Sequence, residues 1–528
     1  MGKVKHAMLV LLLVLAAVAA ACTPGTADKD GPSTQPAQAG SDTGGQSAAA
    51  VAKTDLVIGV ESDAATMLAN TDVNSVTDQL IRNIYDPLID RDVDGKFIPG
   101  LATEWKNIDE TTWEFKLRQG VTFHNGEPFN AEAVKANVDY ILDEKNNSFY
   151  RSRWVHIKEA KVVDDNTVRL ITDQPFPNLL LRVADDLLIM APKHLKEAGL
   201  EKAAGKPVGT GAYKFEEWKR DQYLKLTAND KYWRGEPTIK HVTFRMIPEF
   251  SARLSAFLSG EISLFKNVPV DAVEKVKNNS GSKIEMVGSS RVNYLALNNF
   301  YDGPLKDKRV RQAINYAVDV DELLKTVLNG FGNRMTGPLS KVNADYAETK
   351  GYEYNPDKAV ELLKEAGYDP KQLKLQLDTP SGRYPMDSQV AQAIAAQLQR
   401  IGITVNVQVN EWGNHLSKIR QREMKDMFIL GWGPAFDAQS TIENLFTKAA
   451  PYSSFFDKDV EAEIQAAIPI FQPEERKKAF DHLQQLLVDE AAWVPLWQQK
   501  DIYAVAKDLQ FTPRVDERIP VFYMKWGK

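Results

Sequence analysis

Two glycine-bearing loops carry the side chains best suited to holding a small charged molecule. The first is Ser381-Gly382-Arg383-Tyr384-Pro385, and the second runs from Trp432 to Gln439. Arg383 offers a planar, forked cation that matches a carboxylate. Asp437 offers a carboxylate to an ammonium group, with Trp432 and Phe436 as apolar walls beside it. One cation and one anion on adjacent loops suit a zwitterion. The alternative is that Arg383 and Asp437 pair with each other or with surface residues. Asp387 is placed to cap the helix that follows the first loop, where free backbone N–H groups and the helix dipole favour an anion.

Covalent and metal chemistry find little to stand on. The seven histidines never form a close pair, so there is no H-E-x-x-H zinc motif. Neither a G-x-S-x-G elbow nor a P-loop occurs. Gly209-Thr210-Gly211 is a lone G-x-G before a strand-like run and reads as a turn rather than a phosphate cradle. Paired acids such as Asp164-Asp165 and Asp185-Asp186 read as turn or solvated residues. No catalytic residue, metal ligand or cofactor is expected.

The loops need strands to present them. Leu373, Leu375 and Leu377 alternate as a strand; Val390, Ala391, Ile394, Leu398 and Ile401 form a helical stripe ended by Gly402. Ile403, Val405, Val407 and Val409 then alternate as a second strand, which completes a βαβ unit. The apolar run Met427-Phe428-Ile429-Leu430 leads into the second loop. Both loops therefore leave the carboxyl ends of strands, where open α/β sheets bind ligands. Elsewhere, Lys116–Phe123 reads as a strand, Asn130 as the cap of a helix bearing Val134, Val138 and Ile141, Asn355-Pro356 as a helix start with Gly367 as its stop, and Pro473 as another helix start. The alternation points to an α/β or α+β architecture.

Composition bounds the class. Cys22 is the only cysteine, so nothing beyond it forms an internal disulfide. It follows Lys3, Lys5, His6 and the apolar run Ala7–Ala21, which is an export signal too short to span a bilayer. Small residues followed at once by Cys resemble the lipobox of bacterial lipoproteins, although Ala19 stands where Leu is usual. Residues 1–21 read as signal peptide and 22–53 as a flexible, lipid-anchored linker without aromatic side chains. An ordinary secretory signal is the alternative. Order is expected from Asp55-Leu56-Val57-Ile58-Gly59-Val60 onward. A net charge of -6 gives no electrostatic case for nucleic acid.

Several separated segments then carry a family likeness. They are Ile84-Tyr85-Asp86-Pro87-Leu88 with Pro99-Gly100-Leu101-Ala102 and Trp105, Leu117–Gly126, Val208–Tyr213, Arg309–Ile314 and Ala359–Tyr368. From Leu56 to the C-terminus the chain resembles the peptide, nickel and opine substrate-binding proteins that serve ABC importers. The resemblance implies a periplasmic-binding-protein-like α/β fold, two lobes about a hinge with an extra subdomain in the first. It places the first lobe at 54–98, 206–297 and 499–528, the insert at 99–205 and the second lobe at 298–498.

Dipeptide binders of this type hold the peptide amino group with an acid at the position of Ala435, two residues before Asp437. In the nickel branch, Gln439 stands where a metal-site His is usual, and Asp185-Asp186 stand where that branch carries an Arg. The expected ligand is a dipeptide or glutathione-like molecule; a metal chelate, an opine or an oligosaccharide is the alternative within the family, and an exported hydrolase outside it. Arg383 would take the ligand carboxylate, and Asp437, Asp185 or Asp186 the ammonium. Tyr384, Trp412, Trp432 and Phe436 would form walls, core packing being the competing role for Tyr384 and Trp412. The expected partners are the ABC permease subunits and, through acylated Cys22, the outer face of the cell membrane. The receptor is expected to be a monomer.

Overall fold

The computed structural model describes residues 53–71, 75–343, 345–434 and 436–527; the signal, Cys22 and most of the linker lie outside them. In chain order the principal strands are β1 (Asp55–Val60), β2 (Ala102–Asp109), β3 (Thr112–Leu117), β4 (Ile157–Asp164), β5 (Thr167–Thr172), β6 (Tyr213–Lys219) and β7 (Tyr223–Ala228). They continue as β8 (His241–Met246), β9 (Leu264–Lys266), β10 (Ser282–Leu297), β11 (Lys374–Pro380), β12 (Thr404–Asn410), β13 (Met427–Trp432) and β14 (Trp493–Ala506). Eleven strands make one mixed sheet in the order β12-β11-β13-β10-β14-β9-β1-β8-β7-β6, with Gly332–Arg334 added beside β14. A separate antiparallel sheet, β2-β3-β5-β4, packs under the helix Ala131–Leu142.

The two ends of the large sheet are α/β units with their own cores. At one end β1 runs parallel to β8 and β9. At the other, β11 runs parallel to both β12 and β13, the βαβ arrangement read from the alternating apolar residues. That second unit is covered on both faces, as a parallel sheet requires. Leu377, Ile429 and Leu295 meet Val390 and Ile394 on one face, while Phe428, Leu430 and Ala296 meet Ile442, Leu445 and Phe480 on the other. Only β10 and β14 belong to both units. They pair antiparallel from Ser282↔Ala506 to Gly288↔Lys500 and again from Val292↔Gln498, with a bulge at Ser289–Arg291 between. The result is the mixed α/β, two-lobed binding-protein fold.

Local expectations hold where one side chain dictates the geometry. Asn130 accepts from Ala133 N at 3.1 Å, Asn355 accepts from Lys358 N at 3.0 Å, and Gly367 sits at φ +85° past its helix. The strand expected over Lys116–Phe123 instead ends at Leu117, because Gly120 turns the chain at φ +74°. Gly209-Thr210-Gly211 is a turn before β6, and its glycines have a packing reason. A Cβ at Gly209 would lie 2.1 Å from the Ile84 carbonyl oxygen, and one at Gly211 2.5 Å from the Ile84 carbonyl carbon. Thr210, Tyr232 and Trp233 all donate to the buried Asp86 carboxylate at 2.9 Å. Two of the segments that carry the family likeness are thus one joint, closed by Gly211 N–H to Ile84 C=O at 2.9 Å.

Gly209→Ala should therefore destabilise the fold by about 1–3 kcal/mol, since the backbone it meets cannot rotate away. Denaturant unfolding reads this directly; an unchanged midpoint would contradict the close approach.

Candidate functional site

Strand direction sets where a ligand can sit. β1 and β9 run with β10, whereas β11 and β13 run against it, so the carboxyl ends of the two units face each other. Lys266, at the end of β9, pairs with Tyr503; Trp432, at the end of β13, pairs with Val292, which pairs with Gln498. Gln498 and Tyr503 are five steps apart on β14, a gap of about 16 Å at roughly 3.3 Å per residue. Ligand crevices form at such strand ends.

From the second unit, the loop after β11 brings Arg383 into this gap. Asp387 builds that loop, in a different way from the cap expected. It is the first residue of the helix Asp387–Arg400, preceded by Met386 at φ +55°, and its buried carboxylate turns back on the chain. It accepts N–H bonds from Gly382 at 3.1 Å, Arg383 at 2.9 Å, Tyr384 at 3.1 Å and Ser388 at 2.9 Å. The anion expected at this helix start is thus the protein's own. What the loop offers outward is the Arg383 side chain. Its guanidinium lies 5.2 Å from the Tyr384 ring and 5.1 Å from the Trp412 ring. It is partly exposed and makes no hydrogen bond or ion pair with the described residues. Tyr384 is buried and donates to Gly431 O at 3.3 Å; Trp412, partly buried, stands edge-on to it at the start of the helix Trp412–Arg420. Arg383, Tyr384 and Trp412 therefore form one cluster.

Phe436 and Asp437 lie in another. Phe436 packs on the Arg91 guanidinium, 4.4 Å away, beside a cavity of about 670 Å³ also lined by Phe97, Leu181, Val342 and Val515. Asp437 caps the helix Ala438–Phe446, accepting Ser440 N at 2.7 Å, and also takes Asn178 Nδ2 at 3.0 Å. Arg476 donates to Asn178 Oδ1 at 3.1 Å and Gln439 Oε1 at 2.9 Å, and Arg182 to Ser440 Oγ at 2.7 Å. These bonds tie the segment 178–182 to the second unit. Trp432, at the end of β13, lies 5.4 Å from the Tyr452 ring.

Asp185 and Asp186 are not solvated turn residues. Arg91 grips Asp185 with two bonds at 3.0 and 2.9 Å and Arg518 adds a third at 3.2 Å. Burial raises the Asp185 pKa, but these cations outweigh it and hold the carboxyl well below its usual range. Asp186 takes Trp154 Nε1 at 3.2 Å and Arg153 at 3.3 Å, and burial pushes it up.

Sequence reasoning missed the charged residues under the gap. Glu517 is buried between Lys266 at 3.2 Å and Arg291 at 2.9 Å, and Arg291 also donates to Gly431 O at 3.0 Å. Burial opposes the Glu517 charge, yet Arg291 and Lys266, with Arg383 beyond, hold its carboxyl far below the usual value. Asp501, on β14, is 1% exposed. One oxygen accepts Gln499 Nε2 at 2.7 Å, and the other has no partner among the described residues. Burial and the neighbouring Glu517 push it up to about 7. The available signal was a charge inside an apolar strand pattern, Lys266 after Leu264-Phe265 and Asp501 before Ile502-Tyr503.

This geometry, opposed strand ends about a crossed pair, meets a known family. Residues 96–453 match the bacterial extracellular solute-binding proteins, family 5 Middle. The chain belongs to that family. The solute-binding protein is 28% identical over 481 residues to the glutathione-binding protein GsiB of Salmonella typhi, covering 87% of this chain and 92% of the relative. Among solved structures, the ABC transporter substrate-binding protein CtaP of Listeria monocytogenes superposes with a TM-score of 0.82 at 24% identity, covering 90% of this chain and all of that one. The periplasmic binding protein DppA of Helicobacter pylori, in complex with peptide STSA, gives 0.78 at 26% identity, covering 90% and 99%. Among the described residues, no helix is long and apolar enough to cross a membrane.

Asp501 makes the stability of this solute-binding protein depend on pH. Its pKa is raised in the folded state, so the folded protein binds more protons than the unfolded chain between about pH 4 and 7. Stability from this group therefore falls as pH rises through that window. Asp501→Asn should be more stable than the parent above pH 7, with the difference shrinking toward pH 4 in unfolding titrations. A difference that does not vary with pH would contradict the buried, half-satisfied carboxylate.

Proposed function

We propose that this solute-binding protein captures a short peptide, a dipeptide or glutathione-like zwitterion, between its lobes and presents it to the transmembrane subunits of an ABC importer. The observation that carries the reading is Arg383: a five-donor fork without a protein partner among the described residues, braced on two aromatic rings at a strand end facing the gap. A forked cation of this kind favours a ligand carboxylate with bidentate geometry. Likeness over most of the chain to GsiB, named as glutathione-binding, and to DppA, solved with a peptide, supports the same class.

In this reading Arg383 takes the carboxylate. Tyr384, Trp412 and Trp432 wall the ligand, and Phe436 closes the far side against Arg91. Asp437, committed to its helix cap and Asn178, serves to hold the lobes together. The first lobe comprises 54–98, 206–297 and 499–528 with an insert at 99–205, and the second comprises 298–498; β10 and β14 cross between them. Acylation of Cys22 would keep this monomeric receptor on the outer face of the membrane near its permease, and residues 22–53 would act as the tether.

Isothermal titration with di- and tripeptides, glutathione and nickel–histidine separates the ligand classes. Peptide binding is expected, and silence toward every peptide with a response to nickel–histidine would overturn the reading. Arg383→Ala should weaken peptide binding by about 2–5 kcal/mol, the cost of leaving a buried charge unpaired. An unchanged Kd would mean that another cation holds the carboxylate.

A further inference from the structure

We infer that Glu61, at the carboxyl edge of the first lobe, holds the ammonium group of the ligand whose carboxylate Arg383 takes. The inference rests on the zwitterionic peptide reading and deepens it. Glu61 is the residue directly after β1, so it leaves the carboxyl edge of the first lobe, as Arg383 leaves that of the second. One oxygen accepts Asn267 Nδ2 at 3.1 Å. The other has no hydrogen-bond partner among the described residues, and the side chain is partly exposed. Its neighbour Lys266 is already engaged by Glu517 at 3.2 Å, and the guanidinium of Arg253 donates to the carbonyls of Ile247 and Pro248 at 2.6 Å.

Acids at or beside the strand ends are otherwise spoken for. Asp437 caps a helix and binds Asn178; Asp185 is held by Arg91 and Arg518; Asp186 by Trp154 and Arg153; Glu517 by Lys266 and Arg291. Asp63 accepts from Trp218 Nε1 and from the N–H groups of Ala64 and Asp221. Asp501 has a spare oxygen, but it is sealed from solvent. Glu61 thus combines an open carboxylate oxygen with a position at the strand edge. A bridge from Glu61 to Arg383 draws one group from each lobe, so a molecule carrying both charges favours closure over one carrying either alone.

The test is calorimetric titration of the full chain and of Glu61→Gln, which keeps the oxygen that Asn267 uses, with glutathione, Ala-Phe and N-acetyl-Ala-Phe. The parent is expected to prefer Ala-Phe to its acetylated form. In Glu61→Gln the affinity for Ala-Phe and glutathione should fall about ten- to a hundredfold, the range of a charge-assisted bond, while that for the acetylated peptide and the unfolding midpoint stay in place. An unchanged affinity for Ala-Phe, or an equal loss for both forms, overturns the assignment to Glu61 and leaves the peptide reading standing. Silence of the parent toward all three overturns the peptide reading and the assignment with it.

Discussion

The carboxylate of Glu517, near the end of the chain, lies between a lysine from the first lobe and an arginine from the bulge in β10, and the interlobe region is organised around it. Lys266 ends β9, Arg291 follows the point where β10 and β14 lose register, and Arg291 continues to the carbonyl of Gly431 on β13. One anion thereby links the last segment, β9 of the first lobe, the crossing strand β10 and the edge of the second lobe. Buried ion pairs add little net stability compared with well-packed apolar groups, but losing one partner strands the others at a cost of about 3–5 kcal/mol. The cluster is better understood as fixing geometry than as supplying stability. It holds the opposed strand ends at a set separation.

That separation shapes the chemistry. Each parallel unit must expose its carboxyl edge to the other, because β10 and β14 run antiparallel through both. The loops on those edges are short and braced internally. Asp387 consumes three N–H groups of one loop and that of Ser388 in the helix, and Asp437 serves as helix cap and cross-lobe acceptor in the other. Backbone donors are therefore largely spent on the protein itself. In the function proposed above, selectivity would fall to side chains, chiefly Arg383 with its two aromatic supports. Asp501, with one oxygen unpartnered among the described residues, shows the cost of packing polar groups where two lobes meet.

The second lobe was legible because its signals are local. Period-two apolar strands, a helical stripe and Gly402 specify the βαβ unit within forty residues, and burial enforces the register. Arg383, Tyr384 and Trp412 could be singled out, and they gather into one cluster. Asp387 was read correctly as the polar group at a helix start, but its carboxylate turned toward the loop before it. Asp185 and Asp186 show the opposite failure. In sequence they look solvated, whereas Arg91, Arg153, Arg182 and Arg518 converge on them from more than one distant segment. Single-sequence periodicity carries no record of such pairings.

The sequence alone determined the class of fold, the strand-end loops, and the family likeness of segments such as Ile84–Leu88 and Val208–Tyr213. These follow from patterns whose partners lie within a few residues, or from glycines that a close backbone approach demands. The tertiary structure decided which charges are free. Whether an Asp or Arg is spent or available depends on what another part of the chain places beside it. Here Asn178, 259 residues before Asp437, and Arg91, nearly a hundred residues before Asp185, settled that question, leaving Arg383 and one oxygen of Glu61 without a partner among the described residues.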